Sequence, residues 1–143
     1  MVKDPVVILA NGNYPTHPIP VKKLHKAGCI ICCDGAADQL AGKGLEPSII
    51  IGDLDSIDQI LKSKYNDNTI YLPSQDKNDL SKAIQWAEDG GIKEAVILGA
   101  TGKRDDHTLA NIFTLLQYPA QLEMTIYTDH GIFSVAENKK TFD

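Results

Sequence analysis

Short apolar runs recur along the chain at residues 6–10, 29–33, 48–51, 69–72, 95–98 and 124–128. Most are continuously apolar instead of alternating, the pattern of parallel strands covered on both faces. Helical spacing lies between them. Leu80, Ala83, Ile84 and Ala87 fall at i, i+3, i+4 and i+7, and Gly90-Gly91 ends that stripe. Leu109, Ile112, Phe113 and Leu116 repeat the spacing, with Pro119 just beyond. Strand–helix alternation predicts an open, three-layer, Rossmann-like α/β fold with a mostly parallel sheet and right-handed crossovers. The pattern changes after Ile126, where a strand, an Asp129-His130-Gly131 turn and a second strand up to Ala136 read as a hairpin. We expect an α/β domain over residues 1–128, and over 129–143 the start of a further β domain that is truncated here.

A chain of 143 residues suits one such domain and buries a core without a disulfide or zinc staple. Its net charge of -5 argues against a general nucleic-acid binder, which presents a basic face to phosphates. No apolar run approaches the roughly 18 residues of a membrane span, and the N-terminus lacks the longer apolar stretch of a signal peptide. A cytoplasmic protein with no membrane or nucleic-acid partner is expected. Cys29, Cys32 and Cys33 share one apolar run. On a strand, Cys29 and Cys32 point to opposite faces, and no second pair completes a zinc site, so reduced core packing is expected.

The acidic residues are lopsided in kind, 14 Asp against 5 Glu, and their placement is the most informative feature of the chain. Asp34 follows the second apolar run, Asp53 and Asp55 the third, Asp76 and Asp79 the fourth, and Asp105 and Asp106 the fifth. In open α/β sheets ligands bind outside the carboxyl ends of the strands, so four strands deliver carboxylates to one rim. Asp34, Asp79 and Asp106 also sit where helix N-caps belong, which is a sufficient reason for an aspartate. Capping does not account for Asp53 and Asp55 together in one tight loop. Crowded like charges call for a cation, and Mg²⁺ with phosphate oxygens is the natural one.

Donors for a phosphate stand nearby. Gly99-Ala100-Thr101-Gly102 lies between a strand and a helix, followed by Lys103 and Arg104, and Arg suits bidentate phosphate contact. This is no Walker A loop, whose first glycine would stand at Ile97 and whose Ser/Thr position holds Arg104. Asn11-Gly12-Asn13 ends the first strand beside the same rim. His107 suits a nucleotide contact, a helix cap or a solvated position. Trp86 falls off the apolar stripe of its helix, where either a partner surface or solvent would meet it.

Asp34-Gly35, Gly52-Asp53-Leu54-Asp55-Ser56, Gln75-Asp76-Lys77-Asn78-Asp79 with Lys82, and Gly99 to His107 with Leu109-Ala110-Asn111 resemble, in this order, thiamin pyrophosphokinase. The resemblance runs from Asn11 to about Thr128. It implies transfer of diphosphate from ATP to the thiamin hydroxyl, giving thiamin diphosphate and AMP. By resemblance, Asp53, Asp55, Asp79 and Asp106 help hold Mg²⁺, and Asp53, Asp55, Asp79 and Arg104 carry the catalysis. Gly12, Asn13, Asp34, Gly35, Gly99, Thr101, Gly102, Arg104 and His107 would contact ATP. Gln75 and Asp76 would lie near thiamin. Two departures stand out: Asp34-Gly35-Ala36-Ala37-Asp38 replaces the family's Asp-Gly-Gly-Ala-Asn, and Lys103 stands where a second glycine is common. The resemblance further implies a homodimer and a second, all-β domain that helps bind thiamin, so diphosphate transfer by residues 1–143 alone is expected to be impaired.

Two other readings use the same residues. A haloacid-dehalogenase-like phosphatase places its Asp-x-Asp after an apolar strand, usually the first of its core; here the pair follows the third. A non-catalytic nucleotide-binding or dimerisation module would bind ATP without releasing AMP.

Overall fold

Residues 2–55, 57–73, 77–117 and 122–135 are described by a computed structural model. The chain runs β1 (Val6–Leu9), α1 (Pro18–His25), β2 (Cys29–Cys33), α2 (Ala36–Gly42), β3 (Ile49–Gly52), α3 (Gln59–Lys64), a 3-10 turn (Asn66–Asn68) and β4 (Thr69–Tyr71). It continues through α4 (Asp79–Asp89), β5 (Glu94–Leu98), α5 (Asp105–Gln117), β6 (Glu123–Tyr127) and β7 (Ile132–Ser134). The strands form one seven-stranded sheet in the order β4-β3-β2-β1-β5-β6-β7. Every pairing is parallel except β6 with β7. The expected α/β fold class is therefore the observed one. The C-terminal hairpin adds its second strand to this same sheet: Ile126 pairs with Phe133 and Tyr127 with Ile132.

The two faces of the sheet bury separate cores, because successive side chains on a strand alternate in direction. Ile8, Ile31, Ile51, Ile97 and Ile126 pack with Leu80, Ala83, Ile84 and Ala87 of α4 and Leu115 of α5. On the other face Val7, Leu9, Ile30, Cys32, Ile50 and Leu98 pack with Leu24 of α1 and Ala36, Ala37 and Leu40 of α2. Cys29 and Cys33 fall in the first cluster and Cys32 in the second, as the strand reading of that run requires. All three thiols are free and buried.

The apolar stripe of α4 is buried as its spacing predicts. That of α5 is not: Leu109, Phe113 and Leu116 are exposed, and the helix buries Thr114 and Leu115 instead. A 3.6-residue repeat identifies an apolar face and its helix, yet it leaves open which surface covers that face. No helix among the described residues is long and apolar enough to cross a membrane.

Candidate active site

The strand order reverses between β1 and β5, since the chain steps outward from β1 to β4 and then returns to lay β5 beside β1. Open α/β sheets bind ligands at the carboxyl ends of the strands beside such a switch point. A cavity of about 370 Å³ opens there, lined among others by Gly12, Asp34, Asp79, Gly102, Arg104 and His107.

Close backbone approach builds its floor. The Gly12 N–H donates to the Gly99 carbonyl at 2.7 Å, and the Asn13 N–H to the Thr101 carbonyl at 2.8 Å. A Cβ on Gly12 would lie 2.4 Å from the Gly99 oxygen and 2.5 Å from that of Thr101, so only glycine fits. These two amides are therefore spent on holding β1 and β5 together. Lys103 takes φ +58, a left-handed conformation in which glycine would be unstrained. That explains why a glycine suits this place, and the Lys103 ammonium compensates by donating to the Asn11 carbonyl at 3.2 Å. Asp34 and Leu54 share this positive-φ geometry, at φ 44 and 66. The non-glycine residues that do so among those described all flank the cleft, the usual setting for backbone strain.

Three carboxylates converge. Asp34, Asp53 and Asp79 each offer an oxygen within 4.8 Å of the others. Asp34 follows β2 and is buried, Asp53 follows β3, and Asp79 begins α4. None of the three caps a helix. The N-cap of α2 is Gly35, and that of α4 is Asn78, whose side chain accepts from the Ser81 N–H at 2.8 Å. Gly52 makes the approach possible, because a Cβ there would lie 3.3 Å from Asp34 Cβ and from Asp79 Oδ1.

The charges within this trio are unequally settled. The Asp55 N–H donates to Asp53 at 3.1 Å and, with a hydrogen bond shared with Asp34, holds the Asp53 carboxyl below the usual carboxylate range. Burial pushes Asp79 up; Lys82 pulls it back, while Asp53 and Asp55 push it further up. Lys82 is itself buried, 6% exposed, and donates to the Leu72 carbonyl at 2.7 Å while lying 3.5 Å from Asp79 Oδ1. One lysine beside three carboxylates leaves the trio net negative. The donor set, three hard carboxylate oxygens brought in after β2, after β3 and at the start of α4, fits Mg²⁺.

Asp55, Arg104 and Asp106 stand outside the trio. Asp55 is exposed, and its backbone orders Asp53. Arg104 forms an exposed fork with Asp106, Nη2 to Oδ2 at 2.7 Å and Nε to Oδ1 at 3.1 Å, which lowers the Asp106 carboxyl. Gly35 begins the α2 turn behind Asp34. Gln75 and Asp76 lie outside the described residues.

Asn78 and Asn111 also line the cavity: Asn111 donates to the Ala100 carbonyl at 2.9 Å, and Asn78 to Asn111 Oδ1 at 3.4 Å. Asp129, which the sequence marks only as a turn, accepts from the Thr16 hydroxyl at 2.7 Å, the Thr16 N–H at 3.0 Å and the His17 N–H at 2.9 Å. It fixes the loop that carries Gly12 and Asn13 into α1. An aspartate in a hairpin turn gives no hint of a partner 112 residues away.

Fold and rim together define a class: an open α/β domain with an acidic, cation-suited cleft at its switch point. The family follows from comparison with known proteins. This chain belongs to the thiamin pyrophosphokinase family, since the profile of "Thiamin pyrophosphokinase, catalytic domain" matches residues 21–128. It is 33% identical over 103 residues to thiamin pyrophosphokinase 1 of Caenorhabditis elegans, covering 66% of this chain and 42% of that protein. The crystal structure of thiamine pyrophosphokinase from Bacillus subtilis superposes with a TM-score of 0.69 at 25% identity, over 85% of this chain and 59% of that one. Yeast thiamin pyrophosphokinase shares the fold, with a TM-score of 0.66 at 18% identity, over 86% of this chain and 58% of that one. The chain thus spans less than two thirds of the length of these relatives.

Proposed function

We propose that this chain binds ATP and Mg²⁺ at the acidic rim and serves the transfer of diphosphate from ATP to the hydroxyl of thiamin, as a cytoplasmic homodimer. The observation that carries the reading is the convergence of Asp34, Asp53 and Asp79 at the switch point. In the reaction the thiamin hydroxyl oxygen bonds to the β-phosphorus and gives up its proton to water, the bond from that phosphorus to the bridging α-oxygen breaks, and AMP leaves. Mg²⁺, held by Asp53 and Asp79 with Asp34 behind them, would neutralise phosphate charge and orient the chain of phosphates.

The protein's own residues do the placing. Gly12, Asn13, Gly99, Thr101 and Gly102 keep β1 and β5 close enough for a flat nucleotide to lie across them. Arg104 turns its guanidinium from Asp106 to a phosphate, a trade of one charge-assisted fork for another. His107 and Gly35 stand at the nucleotide's edge, Asp55 holds Asp53 in place, and Gln75 and Asp76 meet thiamin. Three buried free thiols suit a reducing compartment. The exposed Leu109, Phe113 and Leu116 on α5 supply an apolar face for a second copy.

Isothermal titration tests the reading. ATP should bind with Mg²⁺ and hardly at all with EDTA, and Asp53→Asn with Asp79→Asn should abolish the difference. Equal affinity with and without the metal would sink the acidic-rim reading.

A further inference from the structure

At the opposite end of the sheet, the amino ends of β1 and β5 floor a cleft of about 1310 Å³. Helix α1 forms one wall, with Ile19 and the exposed Lys22, Lys23 and Lys26. The end of α4 and the turn after it form the other, with Trp86 and Lys93. Four lysines thus face the cleft against two acids, Asp4 and Glu94, in a chain whose net charge is -5. Lys23 sits 4.9 Å from the centre of the Tyr127 ring. Among the described residues, Lys22, Lys26 and Lys93 enter none of the ion pairs, which join Lys64 to Glu46, Lys82 to Asp79 and Arg104 to Asp106.

The floor between these walls is apolar: Val6, Val7, Ala95 and Val96 line it, and Val96 is only half-buried. An apolar strip edged by unpaired cations is therefore open to a partner. Small-molecule sites usually enclose about 300–1,000 Å³, and this cleft exceeds them, so its size favours a stretch of polypeptide.

We infer that the cleft docks an acidic segment of a partner polypeptide. Its apolar side chains seat on Ile19, Trp86 and Val96, and its carboxylates meet Lys22, Lys26 and Lys93. Charge complementarity of this kind governs encounter rate and partner choice more than raw affinity. The inference stands apart from the chemistry of the acidic rim, so neither depends on the other.

Trp86 is the sole tryptophan of the chain and reports occupancy by its emission. The probes are three synthetic peptides of about 12 residues: alternating leucine and glutamate, alternating leucine and lysine, and alternating serine and glutamate. The leucine–glutamate peptide should shift the emission saturably, with affinity that falls as salt rises. Lys22→Glu with Lys26→Glu should weaken it by about tenfold or more, Lys93→Glu on the opposite wall should weaken it in the same sense, and Lys43→Glu on a separate surface should leave it unchanged. Circular dichroism confirms that each variant is folded, and Mg²⁺-ATP titration should be the same in all of them.

Absence of leucine–glutamate binding overturns the inference, as does equal binding of the leucine–lysine peptide or indifference to charge reversal on both walls. Equal binding of the serine–glutamate peptide, or full competition by inorganic phosphate, would make this a small-anion site instead. Self-association that disappears in the charge-reversed variants would show a second copy as the occupant and likewise overturn it.

Discussion

At their carboxyl ends the central strands crowd Asp34, Asp53 and Asp79 within 4.8 Å of one another, with Lys82 as the nearest cation. At their amino ends β1 and β5 lie among Lys22, Lys23, Lys26 and Lys93. The rim is narrow and glycine-built, with backbone strain at Asp34, Leu54 and Lys103. The cleft at the other end is wide, and its cations sit exposed on and just after α1 and immediately before β5. A mild overall charge thus hides two opposed local fields, and the difference in construction indicates the ligand scale each suits. A narrow rim orders a small charged group; a broad apolar strip with exposed cations suits a larger surface.

The sharpest way to break this comparison is to insert one methyl group at each end. Gly12→Ala drives a Cβ into the Gly99 and Thr101 carbonyls, and Gly28→Ala drives one to 2.3 Å from the Asp4 oxygen. Each should lower unfolding stability by about 3 kcal/mol in urea titration. Only Gly12→Ala should also abolish Mg²⁺-ATP binding in the protein that remains folded; loss in both would mean that the two ends are not separable.

Next in size, Arg104→Ala should weaken ATP but not adenosine, by about 1.5–3 kcal/mol for a lost charge-assisted hydrogen bond. Equal loss for both ligands in calorimetry would assign Arg104 to the structure through its fork with Asp106.

A smaller effect is expected at Asp129. Asp129→Ala should cost about 1 kcal/mol through the loss of its hydrogen bonds to Thr16 and His17. The His17 N–H holds the Asp129 carboxyl below its ordinary value. Its contribution is therefore present above the ordinary carboxylate pKa and lost as pH falls through the lowered one. A chemical-denaturation series in acid should show wild type and variant converging there.

The smallest effect belongs to Asp79, whose pKa burial raises. Proton binding then favours the folded state, so metal-free stability should rise slightly as pH falls from neutral through the raised pKa. Asp79→Asn should remove that slope, and Mg²⁺ should stabilise wild type at neutral pH without stabilising the variant.

The strands were legible because burial on both faces of a parallel sheet writes itself as unbroken runs such as Val6–Leu9 and Cys29–Cys33. Helix α4 was legible for the matching reason, a full apolar stripe that meets the sheet. Helix α5 shows the limit: Leu109, Phe113 and Leu116 mark the right helix but not the surface it turns to the core. At the site, proximity in sequence highlighted the pair Asp53 and Asp55, whereas the fold brings Asp34 from the end of β2 and Asp79 from the start of α4 to Asp53. Only the register of β2, β3 and α4 creates that meeting. The tie from Asp129 to Thr16 had no local signal at all, because it joins the two ends of the chain across the sheet.

The three cysteines of β2 give the protein a built-in clock. Cys32 and Cys33 are almost wholly sealed in the interior, and burial pushes every one of the three thiols above its ordinary pKa. Reagents attack the thiolate, so labelling in the native state is blocked twice, by access and by ionisation. Because β2 lies between β1 and β3 inside the sheet, a thiol becomes reactive only when the central strands part. The rate at which a thiol-specific reagent consumes these cysteines would therefore time the opening of the core itself, residue by residue, without any label having been engineered into the chain.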